Sequence, residues 1–353
     1  QLQIPLKDED NISFDGTYEF QNSYLINPTL GLPKISNIIG KIDFTQDDIK
    51  INDAVANLSG SPIKIGLTNI DDITKINIDG IINQKFIRSA LGENWGDNID
   101  GETSWSGELK ITDKATDIEI KSDLKGLGLN LPPPFGKKEN EITTLLFTKK
   151  TITENQELVK AEIGTYASVK LIKARNYDGV MEIKNGLINI NSLQTEMPNN
   201  GVTLSAELSE VNLESINSLF SSLGSKSFIT NANINIQEFN VYGYQLSNAK
   251  IKYVPTNKNL SIQISSNDVS GNILWDKEAH LLKAGFDKLH LKKNNTLADN
   301  ENKFIFSNPP KINIKVKSLA LDEEVYGDLS LVAYKENKMW NIENFKISNP
   351  NHT

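Results

Sequence analysis

The sequence predicts a mainly β protein, an elongated and mainly antiparallel sheet with only a few short helices. Three observations carry this. Apolar and polar residues alternate with period two along most of the chain. Polar, turn-prone segments cut these runs at short intervals. Only two stretches space their apolar residues as a helix does.

The chain opens on "QLQIPL", already alternating at Leu2, Ile4 and Leu6. Further on, Ile63, Ile65 and Leu67 alternate with Lys64 and Gly66. Ile118 and Ile120 face away from Glu119 and Lys121. In "DLKGLGLNLPPPFGK", Leu127, Leu129 and Leu131 share one face, with Gly128 and Asn130 between them and three prolines as a hard stop. Leu124 is one step out of that phase, so a bulge is expected near Lys125. Gly126 and Gly128 leave room for a bend or a close backbone. Leu260, Ile262 and Ile264 form a later strand, and Ile312, Ile314 and Val316 another. "TQDD", "ITDKATD", "YVPTNKN" and "YKENK" read as turns. Such short connections suit antiparallel meanders, since parallel pairs need longer crossovers.

The first helix is expected in "INQKFIRSALG", with Phe86, Ile87, Ala90 and Leu91 on one side, Asn83 as N-cap and Gly92 as stop. In "NLESINSLFSSLG", Ile216, Leu219, Phe220 and Leu223 recur at helical spacing before Gly224. A loose repeat joins Gly40 to Ile65 with Gly327 to Pro350, each holding a strand, a polar turn and a second strand. It has no fixed period.

Composition narrows the function classes. The 353 residues carry 45 acids against 37 bases, a formal net charge of -8, which disfavours a nucleic-acid binder. The absence of cysteine excludes disulfides, zinc ribbons and thiol nucleophiles. No apolar run approaches the 18 or so residues of a spanning helix. The alternation at both ends suggests a piece of something longer. His280, His290 and His352 stand in no metal-ligand spacing, and there is no nucleophile elbow, P-loop or dinucleotide fingerprint. Paired acids at Asp47 and Asp48, Asp71 and Asp72, and from Asp322 to Glu324 read as solvated turns. Trp95, Trp105, Trp275 and Trp340 read as core or edge packing. No catalysis, cofactor or metal is expected. Periodicity alone leaves two architectures open: a closed sandwich or barrel with a dry core, and a sheet whose apolar face stays open.

Four blocks occur in order: "LGLPKISNIIGKIDFTQDDIKINDAVANLSGSPIKI", "IDGETSWSGELKI", "SDLKGLGLNLPPPFGK" and "PPKINIKVKSLALDEEVYGDLSLVAYKENKMWNIENFKISNP". Together, from about Gly31 to Pro350, they resemble the central region of the YhdP branch of AsmA-like proteins. Composition departs from the family, with Asn, Ile and Lys where Ala, Leu and Arg are usual. The resemblance implies a periplasmic portion of an inner-membrane-anchored protein of a Gram-negative envelope. Residues 1–353 would form one continuous elongated β unit, with a subdivision near residue 150. Its sheet would curl into an open, taco-like apolar groove that shelters phospholipid acyl chains between the inner and outer membranes, with other envelope proteins as partners. The groove candidates are Ile63, Ile65, Leu67, Ile118, Ile120, Leu127, Leu129, Leu131, Leu260, Ile262, Ile264, Ile312, Ile314 and Val316. Ile216, Leu219, Phe220 and Leu223 would form a lid or brace. The alternative is a β-rich envelope scaffold or protein-binding module with a closed, dry core.

Overall fold

The computed structural model describes residues 2–3, 13–26, 34–70, 72–91, 96–131, 135–213, 228–256, 258–293, 309–336 and 339–349. The chain forms two compact units, residues 1–131 with 135–184, and residues 185–353. Both are β, as the alternation requires.

The first unit is an antiparallel meander. Its strands are β1 (Leu2–Gln3), β2 (Ser13–Leu25), β3 (Ile35–Thr45), β4 (Ile49–Leu58), β5 (Ser61–Ile70), β6 (Ile73–Asn83), β7 (Ile99–Ile111), β8 (Thr116–Ser122), β9 (Leu127–Leu129), β10 (Leu145–Thr153), β11 (Gln156–Ile163) and β12 (Ala167–Arg175). Each pairs with the next, except that β10 pairs with β8 and the short β9 pairs with the start of β7. The helix α1 (Gln84–Leu91) follows β6. Its expected cap is present: Asn83 Oδ1 accepts the Phe86 N–H at 3.0 Å. Phe86 and Ile87 pack on the core of this unit, where the Phe86 and Trp105 rings lie 6.5 Å apart.

The second unit begins within β13 (Met181–Ile190). It continues through β14 (Gly201–Asn212), β15 (Ile229–Val241), β16 (Tyr244–Pro255), β17 (Asn259–Ser265), β18 (Val269–Asp276), β19 (Leu281–Lys293), β20 (Lys311–Leu321), β21 (Glu324–Glu336) and β22 (Met339–Ser348). Here the sheet is mixed. β13 with β14, β14 with β15, and β19 with β20 run parallel, and the other sequential neighbours run antiparallel. The antiparallel expectation therefore needs correcting at three joins. The signal was in the connections: residues 191–200 are too many for a hairpin and suffice to carry the chain back along β13. This return segment is tied to β13 by side-chain amides. Asn189 Nδ2 donates to the Gln194 carbonyl at 2.9 Å and Asn185 Nδ2 to the Pro198 carbonyl at 2.8 Å.

Hairpin ends share one device. Thr45, Thr112, Thr256 and Ser266 each accept backbone N–H bonds from residues two or three further on, which closes the turn before the next strand. Two tighter connections, Ser59–Gly60 and Tyr242–Gly243, place both residues at positive φ, the primed turn that matches strand twist. The turn expected in "YKENK" and the second helix, with Ile216, Leu219, Phe220 and Leu223, lie wholly or in part outside the described residues. Among the described residues no helix is long and apolar enough to cross a membrane.

Candidate functional site

Strand register turns the alternation of single strands into continuous lines across each sheet. In the first unit one such rung runs through Ala54, Ile65, Ile78, Gly107, Ile120, Phe147, Ala161 and Val169, from β4 to β12. The next rung on the same face holds Ile51, Leu67, Ile76, Leu109, Ile118, Lys149, Val159 and Leu171. Between them, on the opposite face, lie Gly66, Asn77, Glu108, Glu119, Thr148, Lys160 and Lys170. Apart from Lys149, one face is apolar over eight strands, and the other is polar over the seven from β5 to β12.

The second unit repeats this over ten strands. Ile190, Ala206, Ile234, Ile251, Ile264, Gly271, Phe286, Val316, Leu329 and Ile347 form one rung. Ile188, Leu204, Ala232, Tyr253, Ile262, Ile273, Ala284, Ile314, Leu331 and Phe345 form the next. A third, shorter one holds Pro255, Leu260, Trp275, Leu282, Ile312, Ala333 and Ile342. The polar rung between the first two reads Asn189, Ser205, Asn233, Lys252, Gln263, Asn272, Gly285, Lys315, Ser330 and Lys346. The return segment 191–200 is bound by Asn185 and Asn189, so it crosses the polar face and leaves the apolar one clear of itself.

Apart from Leu127, Leu129 and Leu131, the expected groove residues gather on the apolar face of their own unit, but not with equal burial. Ile63 is 3% exposed and belongs to a packed end formed with Ile78, Ile82, Trp105 and Leu109. Ile65, Ile118 and Ile120 are half-buried against that cluster, and Leu67 is half-buried one rung away from Ile65. In the second unit Leu260, Ile262, Ile264, Ile312 and Ile314 are half-buried, and Val316 is buried. A well-packed core would bury most of these positions.

Leu127, Leu129 and Leu131 are placed differently from a wall strand. Only Leu127 to Leu129 pair, with Ile99 to Gly101 at the start of β7. Leu124 takes a left-handed conformation, and it and Leu127 are buried in the packed end. The slipped phase is absorbed by a turn, where Gly126 at φ 89° donates to the Glu139 carbonyl and accepts from the Glu102 N–H. Lys137 pins this excursion. It is 7% exposed, and its Nζ donates to the carbonyls of Leu127 and Lys138 at 2.8 and 3.0 Å. Burial pushes its pKa below the ordinary lysine value, while Glu141, Asp123 and Glu139 pull the other way.

Sequence reasoning missed several members of the apolar face. Phe147, Val159, Ala161, Val169 and Leu171 alternate in their strands, but lysines and glutamates interrupt them. Tyr253 and Trp275 lie on the apolar face of the second unit. Burial pushes the Tyr253 pKa up, and the Trp275 and Trp105 indole N–H groups are buried without an acceptor among the described residues. Gly80 makes room for the second of these indoles: a Cβ there would sit 2.7 Å from Trp105 Nε1. Among the described residues no group of three or more His, Asp or Glu side chains could hold a metal ion.

No curated protein and no solved structure matches the chain. A family model described as YhdP protein matches residues 1–353, and the chain belongs to that family of AsmA-like envelope proteins.

Proposed function

We propose that the two apolar faces shelter phospholipid acyl chains, as part of an inner-membrane-anchored, periplasm-spanning protein that moves lipid between the inner and outer membranes. The observation that carries this is the set of apolar rungs unbroken across ten strands, whose central members Ile262, Ile273, Ile314 and Leu331 stay half-buried. An acyl chain laid on such a face leaves water at a gain of about 0.8 kcal/mol per CH2. A tail of ordinary length cannot cross the aqueous gap without such cover. The polar reverse face, with its lysines and asparagines, keeps the outside of the sheet in water.

The packed end around Trp105 favours a second, local reading in which that part of the first unit is a dry structural core. The two divide the chain and can be separated. A photoreactive residue at Ile262 or Ile314 should crosslink to phospholipid in cell envelopes, and one at Lys252 or Lys315 on the reverse face should not. If none of the four captures lipid, the chain is a β-rich scaffold and not a conduit.

A further inference from the structure

The apolar face of the first unit carries a charged group where its rungs call for aliphatic side chains. Lys149 stands between Ile118 and Val159 in the second rung. Its Nζ lies 2.8 Å from Glu157 Oε1 on β11, and the two side chains are only 15% and 19% exposed. Ion pairs on the reverse face are much more open: Lys317 with Asp287 is 80% and 70% exposed. Lys173 on β12 is the register partner of Glu157 and is also half-buried. Alternation places it on the same face as Leu171 and Val169. Three adjacent strands therefore bring two ammonium groups and one carboxylate to the border of an apolar surface. Desolvating an ion pair costs about as much as the pairing returns, so packing alone does not explain it.

We infer that Lys149 and Lys173 form an anchor for the phosphate of a glycerophospholipid whose tails lie over Val159, Leu171 and Ile118. The charges balance: the group carries one net positive charge, and a phosphodiester carries one negative charge. Glu157 holds Lys149 in place while the site is empty. The inference rests on the lipid-shelter reading and adds a headgroup preference at a defined position.

The test compares the purified chain's binding of fluorescently tagged phosphatidylglycerol with that of diacylglycerol bearing the same acyl chains. The expected wild-type result is roughly tenfold tighter binding of the charged lipid. Lys149→Met with Lys173→Met should remove that preference, with the loss confined to the charged lipid. Glu157→Gln raises the net charge of the group and should tighten phosphatidylglycerol binding severalfold. Equal wild-type affinities, a double variant that loses both lipids alike, or full displacement of phosphatidylglycerol by tail-free glycerol 3-phosphate would each overturn the anchor. Failure of the wild type to bind either lipid would overturn the shelter reading and the anchor together. The wild-type comparison and Glu157→Gln decide the matter even if the double variant does not fold.

Discussion

Ile63 and Leu67 sit on one strand and one face, four residues apart, yet the structure assigns them different surroundings. Ile63 is 3% exposed, with Ala56 and Gly80 as register partners and the Trp105 cluster above it. Leu67 is half-buried between Ile51 and Ile76. Aspartate at each position separates a sealed core from an open face. At Ile63 the change forfeits about 1.5–3 kcal/mol of apolar burial, and a carboxylate in a dry site adds several more. At Leu67 about half of the transfer term is lost, and the carboxylate keeps much of its water, for a total near 1 kcal/mol. For a unit of this size 1 kcal/mol moves Tm by about 2–4 °C. Ile63→Asp should lower Tm by at least ~10 °C and Leu67→Asp by about 3 °C, read from the near-ultraviolet circular dichroism of the tryptophans. Leu67→Asp should stay folded yet capture less phospholipid. Equal losses of Tm would mean that both positions lie in one sealed core, and the reasoning from half-burial would fail.

Three further outcomes are expected. Gly80→Ala drives a methyl group into the Trp105 indole and Ile63, costing about 1–3 kcal/mol with a shift in tryptophan emission; an unchanged melting curve would show that the indole has room to move. Lys137→Met leaves the Leu127 and Lys138 carbonyls without this donor, so stability should drop by about 1–3 kcal/mol, and amide exchange at Gly126 and Leu129, which bond to Glu139 and Lys137, should quicken; unchanged exchange there would refute the pin. Burial raises the pKa of Tyr166 and Tyr253, so the penalty falls on the phenolate: stability is full below the ordinary tyrosine value near 10 and declines as pH rises through the raised folded-state values. Tyr253→Phe and Tyr166→Phe should each remove one late-ionising phenol from an absorbance titration, and loss of an early one instead would contradict that burial.

The parts of this fold that depend on neighbours in sequence were legible, and those that depend on neighbours in space were not. Alternation at Ile262 and Ile264 or at Ile312 and Ile314 marks strands and their greasy side, because the pleat alone decides it. Asn83 could be named as a helix cap because capping is settled within three residues. Parallel pairing is a different matter. Whether β13 meets β14 head to head or side by side depends on the path of residues 191–200, and the bonds from Asn185 and Asn189 that fix it look in sequence like ordinary surface asparagines. The strand "GLGLNL" had the right period and a misleading length, since only Leu127 to Leu129 pair, with Lys137 on the Leu127 carbonyl, while Gly126 turns out toward Glu139 and Asn130 bonds the Asn98 carbonyl. Lys149 and Glu157 were unreadable as site residues because a charge in an alternating run resembles a position facing water. Only register with Ile118 and Val159 shows which way it points.

The rungs also bear on how such a chain can change over generations. A rung asks for an apolar side chain of fitting volume at each crossing, so Ile, Leu and Val can trade places at modest cost. Insertions are judged more harshly. One extra residue inside a strand would turn every side chain beyond it to the other face, setting lysines among isoleucines. Two extra residues would restore the faces. A single one is harmless only where the register already slips, as between Ser270 and Gly271 or between Val316 and Leu319. Length differences among relatives should therefore come in pairs within strands and singly at such slips, which recur along both units, for example between Thr151 and Thr153 or Val332 and Ala333, while residue identity drifts widely and parity endures.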